Sequence, residues 1–100
     1  MSAARALARR YGVKIVFADL GDWAACELFA EYDARGREVR LNRRVAGTLR
    51  GAELRRFVNR AIAHELYHHR EAIGEIRRLE RRSERESAAD AYAEILLRAQ

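Results

Sequence analysis

The strongest constraint on this chain lies in its second half. Leu54, Phe57, Val58, Ala61, Ile62 and Leu66 recur mostly at spacings of three and four, so on a helix they form one apolar stripe. A stripe of that length has to be covered, and the rest of the sequence supplies the cover. Residues 13–18 alternate and are rich in β-branched side chains, which reads as a strand. A second strand falls within residues 23–32, clearest over 27–32. A turn follows at 33–36, and residues 37–42 alternate again. The last two strands are expected to pair as an antiparallel hairpin. Ser2 caps a first helix through Arg10, with Gly12 as its stop signal, and another long helical pattern fills about residues 83–99. The expectation is a single α+β domain over residues 1–100: an N-terminal helix, a small antiparallel three-stranded sheet, then two long helices.

Charge narrows the function classes. The net charge is +5, and nineteen of the twenty cationic residues are Arg. The densest stretch, residues 75–86, holds five Arg but also four Glu. Such interleaving reads as a solvated helix face and points away from direct nucleic-acid binding. No apolar run approaches the roughly 18 residues that a membrane span needs, and no signal-peptide core is present, so a cytoplasmic location is expected. The single cysteine, Cys26, forbids an intrachain disulfide and reads as a small core residue.

The stripe also carries chemistry. Within it stands His64-Glu65-Leu66-Tyr67-His68. Residues four apart on a helix differ by about 40° around the axis, so both imidazoles reach one point. Two imidazole nitrogens at this spacing suit Zn²⁺. Glu65 lies about 100° round from His64, beside the ion and not on it, where it can take a proton from water. His69 is turned too far to ligate. The motif sits on a flank of the stripe, where several ionisable groups are costly to bury without a partner, and a metal would satisfy them together.

A catalytic zinc site takes three protein ligands and one open position. The next helix offers Glu86 as the third, ahead of Glu84, because Asp90 lies four residues on from Glu86 and shares its face with Ala89 and Ala93. The alanines let the two helices come close, and Asp90 would then receive the outer ring N–H of a ligating histidine. Tyr67, His69, Tyr92 or an arginine are the candidates for stabilising an oxyanion. So few strands cannot close on themselves, so one sheet edge should stay open to an extended peptide.

The motif at His64–His68, followed by Glu86-x-x-Ala89-Asp90-x-Tyr92-Ala93 and Ile95-Leu96-Leu97, resembles the ImmA/IrrE metallopeptidases. So do residues 12–20, the strand ending Val39-Arg40-Leu41-Asn42, and the lead-in Ala63-His64-Glu65-Leu66. The resemblance spans roughly residues 5–97. It implies a zincin-like domain of the gluzincin type, with His64, His68 and Glu86 on Zn²⁺ and Glu65 as general base and later acid. It also implies a protein substrate, typically a helix-turn-helix repressor. The competing expectation is a catalytically inactive, zinc-stabilised protein-binding module.

Overall fold

The computed structural model describes residues 2–21 and 29–98. Cys26 and residues 23–28 of the second expected strand lie outside the described residues.

The first helix, α1 (Ala3–Tyr11), has the expected cap and stop and runs one residue further than expected, to Tyr11. The Ser2 hydroxyl accepts from the Arg5 N–H at 3.2 Å, satisfying one of the free donors of the first turn. Gly12 ends the helix at φ 68°, a left-handed conformation that suits glycine, with its N–H turned back to the carbonyls of Ala8 and Arg9. Three strands follow: β1 (Lys14–Ala18), β2 (Ala30–Asp33) and β3 (Glu38–Asn42). β2 and β3 form the expected antiparallel hairpin, with Glu31 opposite Arg40 and Tyr32 opposite Val39. The sheet as a whole is mixed, not antiparallel. Its order is β1-β3-β2, and β1 runs parallel to β3, with Ile15 opposite Val39 and Phe17 opposite Leu41. β1 ends and β2 begins at the same end of the sheet, on either side of β3. Alternation marks a strand and its buried face but does not choose its neighbour, which is why the parallel pair was not foreseen.

The hairpin has a clear inside and outside. Val39 and Leu41 are wholly buried, whereas Arg40 between them faces out and binds Glu31, Asp33 and Glu38. Asn42 closes the sheet. Its carboxamide oxygen accepts from the N–H groups of Leu20 and Arg44, and its amide donates to the Gly21 carbonyl. One buried side chain thus ties the loop after β1 to the start of a short helix, α2 (Arg43–Ala46), which the sequence pattern does not announce.

The apolar stripe becomes α3 (Gly51–Ala72). Ile62 and Leu66 are fully buried beside Val39 and Leu41, with Ala4 and Ala8 of α1 completing the core. α4 (Arg82–Arg98) crosses α3 through Ala89 and Ala93, both 0% exposed. The lack of bulk there brings the two backbones close, as the run of alanines suggests. One expectation fails between the helices: residues 75–81 do not belong to a helix, and only Arg82 to Glu86 of the charged stretch do. Gly74 at φ 81° terminates α3, and a new first turn is set when the Arg81 carbonyl accepts from the Arg85 N–H. None of the described helices is long and apolar enough to cross a membrane.

Candidate metal centre

α3 and α4 meet edge to edge where the motif lies. His64 and His68, one turn apart on α3, aim their Nε2 atoms at one carboxylate oxygen of Glu86 on α4, at 3.3 and 2.7 Å. The candidate ligand atoms of the three residues all fall within 4.8 Å of one another, so the group could hold a metal ion. Each imidazole is also held from behind. His64 Nδ1 lies 2.8 Å from Asp90 Oδ1, and His68 Nδ1 lies 2.8 Å from Glu71 Oε1.

These contacts test whether a cation fits. A neutral imidazole carries one N–H. If each Nδ1–H donates to its outer carboxylate, both Nε2 lone pairs face the Glu86 carboxylate with no proton between them. Such a cluster needs either a proton on each Nε2 or one shared cation. Two imidazoles and a carboxylate, each imidazole backed by an acid, are a donor set that a zinc ion can take. Ligands about 2.0–2.1 Å from a tetrahedral ion stand about 3.3 Å apart. The His64–Glu86 distance of 3.3 Å already meets this, while the 2.7 Å contact to His68 has to open. The Glu86 side chain is 45% exposed and free to swing by that amount.

The two outer contacts differ in kind. The Asp90 side chain is 62% exposed, so its hold on His64 is made in water. The Glu71 side chain is 3% exposed and is gripped by Arg85 at 3.0 and 3.1 Å. Burial alone would raise the Glu71 carboxyl, but its hydrogen bonds to Arg85 and His68 hold it below the usual carboxylate range. Glu71 and Arg85 were not among the sequence candidates. The signal for Glu71 was present, since it lies three residues beyond His68 on the same helix face.

Glu65 borders the same depression as His68, Glu86 and the β2 residues Ala30 to Tyr32. It is 7% exposed, and its carboxylate comes no nearer than 3.9 Å to His64 Nε2, so it flanks the donor cluster without entering it. Burial pushes its carboxyl from 4.5 up to about 7, with Glu86 and Glu31 adding to the rise and His64 opposing it. His69, excluded as a ligand by its angle, is buried and points the other way. Its Nδ1 lies 2.6 Å from the Tyr32 hydroxyl, and its ring lies edge-on to Tyr11 and Tyr32 at 5.2 and 5.4 Å. That contact pins β2 against α3. Of the candidates for an oxyanion partner, Tyr67, His69 and Tyr92 do not line the depressions that flank Glu65; Arg60, Arg78, Arg82 and Arg85 do. Tyr67 is 7% exposed and packs on Tyr92 and His68.

Among the described residues, β2 is a sheet edge, and it borders the cluster. Phe29 accepts at its carbonyl from the Asn42 N–H, which makes that pair hydrogen-bonded. In an antiparallel ladder such pairs alternate, so Ala30 and Tyr32 turn their N–H and C=O groups to the open side. Comparison of the chain with protein-family models, curated proteins and solved structures finds no match.

Proposed function

We propose that the chain is a zinc-dependent peptidase that hydrolyses a peptide bond in an extended protein segment. The observation that carries this reading is the convergence of His64 Nε2, His68 Nε2 and a Glu86 oxygen on one point, with the buried Glu65 carboxyl at its side. His64, His68 and Glu86 would hold the ion. When bound, Zn²⁺ supplies Lewis acidity that polarises a carbonyl and makes water easier to deprotonate. Asp90 and Glu71 fix the two rings in the tautomer that leaves Nε2 free to ligate. Glu65 takes a proton from the attacking water at its carboxylate and returns it to the leaving nitrogen. Burial raises this carboxyl and a cation held beside it would lower it, two opposing pulls that suit a group that must both take and return a proton. The open groups of Ala30 and Tyr32 favour a peptide laid along β2, an arrangement that selects extended segments over compact ones. The resemblance to the ImmA/IrrE metallopeptidases supports the same reading and makes a helix-turn-helix repressor a candidate substrate.

A second reading has an observation of its own. The donors are divided between α3 and α4, so an ion would staple two helices and could serve stability alone in an inactive binding module. Glu65→Gln separates the two. The variant should keep its zinc and fold while cleavage of a susceptible protein falls steeply. Cleavage at the wild-type rate would remove Glu65 from the mechanism.

A further inference from the structure

The cleft beside the candidate metal centre has two unlike ends. One is a depression of about 570 Å³ whose wall includes Phe29, Phe57 and Ala61. The two phenyl rings meet edge to face with centroids 6.1 Å apart, and Phe29 remains 52% exposed, so an aromatic shelf faces solvent. The other end is a depression of about 630 Å³ bordered by Arg78, Arg82 and Arg85. Arg85 is committed to Glu71, and the acid on this side nearest the strand, Glu31, is committed to Arg40. Arg78 and Arg82 are exposed and form no ion pair or hydrogen bond among the described residues. Glu65 and Glu86 border both ends, so what distinguishes them is the unpaired Arg78 and Arg82 at one and the apolar surface at the other.

The backbone gives this polarity a direction. The chain enters β2 from Phe29, at the aromatic end, and leaves it after Asp33 at Ala34, which borders the arginine end. α3 passes the site in the same sense, with Phe57 and Ala61 at the aromatic end and His68 and Glu71 at the other. Among the described residues the outer edge of β2 is free, and a peptide that adds to it as an antiparallel strand, the pairing with the better hydrogen bonds, runs opposite to β2. Its residues before the reacting bond then lie at the arginine end, and those after it on the aromatic shelf.

We propose that the cleft reads an ordered pair: an Asp or Glu on the N-terminal side of the reacting bond and an aromatic or branched apolar residue on its C-terminal side. This rests on the reading of the site as a peptide hydrolase. Arg78 and Arg82 are the residues that set the first preference, and Phe29 and Phe57 the second.

The test uses two fluorescently labelled peptides of identical composition, one acid-first and one apolar-first. Their binding to zinc-loaded Glu65→Gln protein is followed by anisotropy, and their cleavage by the wild type by mass spectrometry. Two exposed arginines should favour the acid-first peptide about fivefold at low salt, with the margin shrinking as salt rises. Adding Arg78→Gln and Arg82→Gln should abolish the preference, and Arg78→Glu with Arg82→Glu should turn it toward a lysine-first peptide. Both arginines are exposed and unpaired, so these changes leave the fold intact. Equal binding of the two orders, preference for the apolar-first peptide, or no binding of either overturns the proposal. Cleavage without order preference overturns the direction but leaves the hydrolase reading standing. Order-dependent binding with no cleavage keeps the direction and removes the hydrolase.

Discussion

Glu65→Gln should make the metal-free protein more stable at neutral pH, not less. The carboxyl is 7% exposed and finds no hydrogen-bond partner among the described residues, so ionising it inside the fold is costly. Burial raises it from 4.5 to about 7. Because the folded value lies above the unfolded one, Glu65 contributes its full stability below about pH 4.5 and loses it as pH rises through about 7. The whole gap is worth about 3 kcal/mol, of which about 2.5 kcal/mol is lost between about pH 5 and pH 8. Gln has nearly the same shape and does not titrate, so packing terms largely cancel in the comparison. Urea unfolding of both proteins in the presence of chelator, at several values across about pH 5–8, should show the variant gaining on the wild type by about that amount. A difference between the two that stays constant within about 0.5 kcal/mol over the range would refute the argument, because it would mean that the carboxyl is hydrated in the folded state. Saturating zinc should flatten the dependence, since a nearby cation favours the ionised carboxylate.

Three further outcomes follow from the site and the core. Elemental analysis should find about one zinc per wild-type chain and a large loss in Glu86→Ala, and full occupancy in that variant would move the third ligand elsewhere. Glu71→Gln and Asp90→Asn should each weaken zinc affinity within a range of about 10–100-fold, with Glu71 the more costly because its contact is buried and braced by Arg85; competition with a chromogenic chelator gives the order, and the reverse order would place the stronger support on His64. Leu66→Ala, at a fully buried position, should cost about 2–5 kcal/mol in urea unfolding while zinc binds the folded protein normally.

The parts of the fold legible in the sequence are those governed by local rules. Ser2 and Gly12 bound α1 through their own hydrogen bonds and backbone preference, and the stripe from Leu54 to Leu66 is a helix because its spacing matches the helical period. The hairpin was readable because a short turn leaves its strands little choice of partner. The parallel pairing of β1 with β3 was not, since it depends on where the chain crosses between them. Residues 75–81 read as part of a helix face because charged residues are good helix formers, but the left-handed Gly74 ends α3 before them. At the site, His64, His68, Glu86 and Asp90 share two helix faces, and the structure brings them together. Glu71 was overlooked because an acid three residues from a histidine looks like an ordinary surface pair; only its 3% exposure and its clasp by Arg85 distinguish it. The two ends of the cleft could not be read at all, because they join residues at β2, on α3, in the connector and on α4 that are far apart in the chain.

If an ion is held as proposed, the division of the donors between two helices makes its affinity a gauge of chain closure. His64 and His68 are presented together by α3, but Glu86 arrives only when the connector after Ala72 has folded α4 back alongside. The connector thus sets the effective concentration of the third ligand. Lengthening it should erode affinity gently, by about threefold for each doubling, because loop entropy grows only logarithmically. The linkage runs both ways: whatever the ion adds to the grip between α3 and α4, a tighter grip returns to the ion. An agent that prised α4 away would empty the centre and silence the chemistry without touching Glu65, and a cell short of metal would meet the same chain as a looser, more easily digested one.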